Sequence, residues 1–418
     1  MPDLMRIFSM QQTLKKNDAK WLRRLKKADY YPLLLCLGVL GTLWCIHVML
    51  GKPYAASSVY NTYTLQAMAW RSGSLHLPQD YPWLELAIYE GNYYVSFPPL
   101  PSVVLLPLTF LFGSSTPDNL LVKLYALMAV LGIYFALKNA GNSRPSSAML
   151  AYLFALSSSA LPMMVEGAVW YQPQMLALGL MSLSVMLMLK RKPTPALFLY
   201  ALSVCCRPFD AVYGPMLYLV YLWQRRQALY GFKDTIKRLI PGTILGLMVA
   251  AGIAVFNYVR FHNPLEFGHN YLPEFSFQGG VQFSLSHVAN NAKTFLFGSP
   301  LSWDGQVYTF NQFGYSLFLA CPVITLMLIQ CALDLFRRRF TWVKGAVVIS
   351  MAVHIFLLLL HRTFGGYQLG ARYVADCIPY AVCCFSLSKP CGKRNAVHTL
   401  VLLLVFVFTL VGVSFIHL

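Results

Sequence analysis

YPLLLCLGVLGTLWCIHVML, residues 31–50, carries no charged side chain and lies between Asp29 and Lys52. Twenty helical residues rise about 30 Å, the thickness of a bilayer's hydrocarbon core. The thirty residues before it hold eight basic side chains and three acids. A cleaved signal would show a shorter apolar core and a small-residue cleavage site. The run instead reads as a first transmembrane helix behind a basic cytoplasmic tail, 1–30.

The rest of the chain repeats this pattern. Apolar runs recur near 99–113, 119–137, 147–163, 172–190, 195–206, 210–224, 239–257, 313–336, 345–361, 373–388 and 397–416. Of the 418 residues 57% are hydrophobic and 11% charged, with a mean hydropathy of +0.54. Soluble domains carry roughly a quarter charged residues. The composition describes a polytopic membrane protein. It excludes a cytosolic enzyme, a secreted disulfide scaffold and a disordered regulator.

The net charge of +18 is explained by position. The tail, Lys138/Arg144, 190–192, 225–238, 337–344 and 389–394 together hold 25 of the 33 basic residues. Clusters between apolar runs mark the cytoplasmic face, so nucleic acid is not needed as a partner, and the tail suits anionic membrane lipids. If 99–113 and 119–137 both crossed, every later cluster would invert. The Pro-rich start Pro98-Pro99-Leu100-Pro101 and the short run place 99–113 along the outer leaflet. The expectation is an all-α bundle of about eleven transmembrane helices, 31–418, with the N-terminus inside and two large outer loops, 51–97 and 258–312. The ten cysteines avoid both loops, so no disulfide staples them and no metal-ligand spacing appears.

Nine of the fifteen acids fall on or near the outer side, among them Asp80, Glu85, Glu90, Glu166, Asp210, Glu266, Glu274, Asp304 and Asp376. Residues 57–71 have the apolar spacing of an interfacial helix. Behind them Asp80, Glu85 and Glu90 recur every five residues among aromatics. Carboxylates in such surroundings have raised pKa values and become general-base candidates near neutral pH; the alternative is a set of solvated loop acids. Arg260 and Glu266 flank the turn His262-Asn263-Pro264 and read either as an ion pair or as site residues. Arg207 and Arg372 sit beside helix ends, where a guanidinium either snorkels, pairs (Arg372 with Asp376 at i, i+4) or captures a phosphate. Acids and arginines converging outside a membrane suit a substrate with a phosphate, a lipid tail and a polar head.

DYPWLELAIYEGNYYVSFPPLPSVVLLP, from Asp80, resembles the first outer loop of bacterial GT-C superfamily membrane glycosyltransferases, relatives of protein mannosyltransferases and of the lipid A aminoarabinose transferase. FNYVRFHNPLEFG, GARYVADCIPY and CCRPFDAVYGP resemble three further segments of that group. Together the four cover about a sixth of the chain. The resemblance implies a GT-C-like bundle in the plasma (inner) membrane with an extracytoplasmic site. It implies a polyprenyl-phosphate sugar donor, a lipid, glycan or protein acceptor, and an inverting transfer with a first-loop acid as base. Glu85 ranks first for that role and Asp80 second. Arg372, Arg207 and Arg260 are the candidates for the donor phosphate. Tyr93, Tyr94, Glu166, Trp170 and Glu266 are the candidates for the remaining substrate contacts. Lys123 stands where relatives often carry an arginine, which weakens a bidentate phosphate contact there.

The inner loops are short and basic, without a DxD-type or Gly-rich nucleotide motif, which argues against a nucleotide-sugar donor. The sequence calls for no particular cofactor and leaves metal dependence open. A divalent metal would suit the carboxylates but no spacing demands one. Two other readings stay open: a transporter or flippase for lipid-linked sugar, and a polysaccharide polymerase or ligase using polyprenyl-diphosphate substrates.

Overall fold

The computed structural model describes residues 29–276, 282–303, 305–362 and 368–417. Most of the basic tail and Asp304 lie outside the described residues. Fourteen helices of nine residues or more are described. They are α1 Tyr31–Leu50, α2 Thr62–Arg71, α3 Leu100–Phe112, α4 Asp118–Asn139, α5 Arg144–Leu156, α6 Gln172–Leu189 and α7 Pro193–Val204, then α8 Tyr213–Gln227, α9 Phe232–Phe261, α10 Val288–Phe297, α11 Pro322–Phe336, α12 Trp342–Leu360, α13 Ile378–Ser386 and α14 Gly392–His417. Seven of them (α1, α3, α5, α6, α7, α11, α13) start with proline in the first two positions, where a missing N–H costs nothing and the fixed φ is already helical. Two antiparallel hairpins stand between helices: β1 Leu86–Tyr89 with β2 Asn92–Val95, and β3 Leu301–Trp303 with β4 Tyr308–Phe310.

Six helices, α1, α4, α6, α9, α12 and α14, are long and apolar enough to cross a membrane. The other five runs in the expected eleven crossings are α5, α7, α8, α11 and α13, only 9 to 15 residues each. Single helices of that length fall short of a bilayer core. Four of the five are continued by a separate helical piece: Ala160–Met163 after α5, Pro208–Val212 before α8, Leu317–Ala320 before α11 and Arg372–Cys377 before α13. The breaks gather at one end of the bundle. Ser159 N–H donates to the Ala320 carbonyl at 2.7 Å, Ser159 Oγ to the Ala371 carbonyl at 3.3 Å, and Arg207 pairs with Asp376. Non-helical backbone survives at membrane depth only where protein covers it or where it lines a cavity.

α4 and α6 form the centre. Of the apolar window of α6, 83% is buried, against 11% for α9 at the periphery. Glycines allow the central approach: a Cβ on Gly132 would lie 2.7 Å from the Ser182 backbone, and one on Gly179 3.0 Å from the Tyr125 carbonyl. Small residues at helix crossings in a membrane let backbones pack closely where apolar burial gives no drive.

The turns carrying the basic clusters share the opposite end. Asn395 Nδ2 donates to Asn142 Oδ1 at 2.8 Å, Gln224 Nε2 to the Leu189 carbonyl at 3.1 Å, and Lys344 pairs with Asp334 at 2.5 Å. α3 does not cross between the ends. Phe97 and Pro98 before it and Asp118 after it all lie at the acidic end, where Asp118 Oδ1 accepts the Ser58 N–H at 2.7 Å. α3 packs beside α2, whose Gln66 Oε1 accepts from Ser102 Oγ at 2.7 Å. The helix read over 57–71 begins at Thr62.

Candidate active site

The broken helix ends enclose a cavity of 1080 Å³ at the acidic end of the bundle. Its walls differ in sign. Arg207, from the α7–α8 connection, and Arg362 and Arg372, from the α12–α13 connection, supply cations. Glu85 from the first loop and Glu266 and Glu274 from the segment after α9 supply carboxylates. Trp170, Phe209, Phe283, Phe313 and Tyr373 add aromatic surface.

Glu85 is held by the first hairpin. Tyr89 pairs with Asn92, leaving Glu90-Gly91 as a two-residue turn with φ of 49° and 76°. Positive φ at both positions is the type I′ turn whose twist matches the strands. Leu86 and Val95 point into the core, so Glu85, one residue before the strand, is fixed in position. The hairpin is tied to α9: Arg260 donates to the Val95 carbonyl at 2.9 Å, and Tyr89 and Tyr94 pack on Phe261 with ring centroids 5.6 and 5.2 Å apart. Burial raises the Glu85 carboxyl above its ordinary value. The Trp170 indole opposes the rise, Glu274 adds to it, and Arg372 opposes it.

Arg372, which lines the same cavity, is 6% exposed and forms no ion pair among the described residues. Its backbone N–H donates to Gln368 Oε1 at 2.8 Å, one terminal nitrogen donates to the Tyr373 hydroxyl at 3.3 Å, and its Nε has no partner. A buried guanidinium with donors to spare is costly unless an anion visits it. Arg207 is different: its Nε and one terminal nitrogen donate to Asp376 Oδ2 at 3.1 and 2.8 Å. Arg372 therefore does not pair with Asp376, because Arg207 and Gln174 Nε2, at 2.8 Å, already hold that carboxylate. Tyr373 lies between the two guanidiniums, 4.6 Å from Arg207 and 5.0 Å from Arg372.

The remaining sequence candidates divide. Trp170 and Glu266 line the cavity. Glu266 does not pair with Arg260; its two oxygens accept from the Gly268 N–H and Asn270 Nδ2, each at 2.6 Å, and shape their own loop. Arg260 is 2% exposed and spent on Val95 and Asn257, so it lies outside the cavity. Asp80 is exposed and outside it. Tyr93 and Tyr94 lie in β2, away from the cavity lining, and brace the hairpin. Glu166 accepts from Ser58 Oγ at 2.9 Å beneath the first loop. Lys123 is fully buried and donates to the Asn119 and Val165 carbonyls at 2.7 and 3.3 Å, with no part in the cavity.

The structure adds residues that sequence reasoning gave no role, Glu274, Tyr373 and His269, and brings Asn290 and Asn311 of the 290–312 stretch, which reads as a lid or carbohydrate-facing loop, to the cavity. Tyr373 adjoins Arg372 in the chain, and that adjacency was the only available signal. Burial, with His361 nearby, holds His269 down at about 4, so its imidazole is neutral near pH 7.

An apolar groove of 800 Å³ runs beside the cavity between α7, α8 and α9. Small residues such as Ala201, Gly214, Gly246 and Ala250 make room for it. Pro208, Leu265 and Phe267 line both spaces, so the groove meets the polar cavity next to Arg207.

No family model and no curated protein sequence matches the chain. Among solved structures it is similar to ArnT from Cupriavidus metallidurans in the apo state, with 16% identity, a TM-score of 0.49, and coverage of 88% of this chain and 62% of that one. It is also similar to the apo oligosaccharyltransferase of Archaeoglobus fulgidus, with 12% identity, a TM-score of 0.47, and coverage of 93% and 56%. The same archaeal enzyme, AglB, in complex with an inhibitory peptide and a dolichol-phosphate matches with a TM-score of 0.45, 12% identity, and coverage of 91% and 55%. The chain spans about three-fifths of the length of these neighbours. The chemistry of its site is read from its own residues.

Proposed function

We propose that the chain is a membrane glycosyltransferase that moves a sugar from a polyprenyl-phosphate donor to an acceptor hydroxyl at the acidic, extracytoplasmic end of the bundle. The observation that carries this reading is a pair lining one cavity: a carboxylate with a raised pKa, Glu85, and a buried arginine without an ion-pair partner among the described residues, Arg372. The apolar groove entering beside Arg207 suits an isoprenoid tail, and the aromatic and asparagine walls suit a sugar.

In the transfer, Glu85 accepts the acceptor's hydroxyl proton. The oxygen attacks the anomeric carbon from the face opposite the phosphate, with inversion. The carbon–oxygen bond to the phosphate breaks, and the lipid phosphate leaves with the electron pair. Arg372 and Arg207 stabilise the charge that develops on it. Trp170, facing Glu85, orients the base. The cavity carboxylates offer hard oxygens to a divalent ion, but no step above is routed through one.

Purified protein incubated with polyprenyl-phosphate sugars should release polyprenyl phosphate. Glu85→Gln should lower turnover about 10²–10⁴-fold in a folded protein. Intact lipid-linked sugar crossing liposomes, with no release of polyprenyl phosphate, would replace the transferase with a flippase.

A further inference from the structure

The geometry points to a divalent-metal site behind the arginine wall, formed by Asp210, His354 and Asp376. One ligand-capable atom of each lies within 4.8 Å of the other two. The three residues are 2%, 0% and 4% exposed. They come from the piece before α8, from α12 and from the piece before α13. None lines the substrate cavity, and the three meet it only through Arg207, which Asp376 holds.

The surroundings match a ligand set. His354 Nδ1 is 3.4 Å from the Tyr380 hydroxyl, while Nε2 has no partner although the residue is fully buried. With the Nδ1 proton directed at Tyr380, Nε2 carries a lone pair that nothing in the protein uses. Metal-bound histidines are held this way, one nitrogen oriented by an outer hydrogen bond and the other on the ion. Asp376 is oriented likewise by Gln174 on Oδ1 and Arg207 on Oδ2. Oδ2 accepts from two Arg207 nitrogens, while Oδ1 accepts only from Gln174 and keeps its second acceptor site for an ion. Two carboxylates face one guanidinium, which leaves negative charge for a cation to fill. One imidazole with two carboxylates suits Zn²⁺ better than Ca²⁺ or Mg²⁺, which prefer all-oxygen shells.

Such an ion would join the two helix breaks that present Arg207 and Arg372. Its role is structural: it fixes the spacing of the two guanidiniums around Tyr373 without touching substrate. The competing occupant is a single proton shared by Asp210 and Asp376.

Metal analysis of the full-length protein, purified in detergent without chelator, separates the two. The expected result is about one zinc per chain, falling to near zero in His354→Ala and in Asp210→Asn and unchanged in Glu85→Gln. After chelation, zinc chloride alone should raise the melting temperature of the wild type and leave that of Asp210→Asn unmoved. Should His354→Ala fail to fold, the near-isosteric Asp210→Asn and the wild-type zinc titration still decide. A folded wild type with no bound metal and no melting response to zinc makes the proton the occupant and overturns the proposal. Zinc retained in Asp210→Asn, or lost in Glu85→Gln, places the ion elsewhere and overturns it equally.

Discussion

The two ends of the bundle handle buried charge in opposite ways. At the basic end Asp334 is surrounded: Lys344 Nζ lies 2.5 Å from Oδ2, Gln330 Nε2 2.7 Å from Oδ1, and Ser388 Oγ 3.2 Å from Oδ2, while Arg394 bonds to Gln330 at 3.1 Å. At the acidic end Arg207 and Asp376 are matched in the same manner, but Arg372 and Glu85 line one cavity without forming an ion pair. Such a network serves the fold, since the buried acid has its counter-charge and its other oxygen a hydrogen-bond donor. A charge kept buried beside a cavity without a counter-charge is positioned for something that arrives.

The contrast is sharpest in what substitution should do. Asp334→Ala leaves Lys344 buried without its acid, and losing one partner of a buried pair costs about 3–5 kcal/mol. Both side chains are under a tenth exposed, so solvent offers little relief. The expected outcome is a large fall in melting temperature in detergent, with loss of activity only through loss of fold. Melting at the wild-type temperature would show that the basic end is not held by this network.

Arg372→Ala should behave in reverse. Removing a cation with no carboxylate partner does not strand an acid, so melting should hold or rise. A hydrogen bond to a charged group is worth about 1.5–3 kcal/mol, which sets the expected weakening of donor use at roughly ten- to a hundred-fold. Arg337→Ala, on the exposed basic surface, should change nothing. Equal effects of the two on donor use would remove the phosphate role.

Glu85 gives the next test because its two roles pull apart. Its carboxyl is raised in the folded protein, chiefly by burial. The fold therefore favours the protonated form, and stability is lost as pH climbs through the raised value. Catalysis needs the ionised form, so the acid limb of kcat/KM should lie above the ordinary glutamate range and activity should increase through it. Glu85→Gln, which cannot ionise, should melt no lower than the wild type at neutral pH while its activity is lost. A variant that loses stability and activity together would make Glu85 a structural residue.

Much of the architecture was legible from charge and hydropathy, because lipid imposes both. The run at α1 and the clusters at 138–144, 190–192 and 389–394 separate the ends, and the structure gathers the basic turns at one of them. The helix break at Cys321 was not legible, whereas those at Pro208 and Ala371 fall in gaps between the apolar runs. Cys321 lies inside the apolar run 313–336, and only tertiary contacts such as Ser159 to Ala320 reveal that backbone leaves the helix there. The site was legible as a list of charges rather than as a set of partners. Arg207, Arg260 and Arg372 look alike in sequence, but one is matched by Asp376, one is consumed by the Val95 carbonyl, and one is left over. Pairing depends on three-dimensional neighbours that helical spacing does not supply, which is why the i, i+4 pair of Arg372 with Asp376 does not form.

Asp80 and Glu85 stand five residues apart in one loop, with the same functional group and aromatic neighbours, and should differ most. Asp80 is exposed, touches no part of the cavity and has water as its surroundings. A solvated carboxylate on the rim loses little when it becomes an amide, and surface substitutions of this kind change stability by about half a kcal/mol or less. Asp80→Asn should therefore leave turnover within about twofold of wild type and melting unchanged. If Asp80→Asn abolished turnover while Glu85→Gln did not, the loop would have to close over the cavity during the reaction and bring Asp80 inward. The base would then lie on a moving segment, and Glu85 would be left as the acid that orients the acceptor.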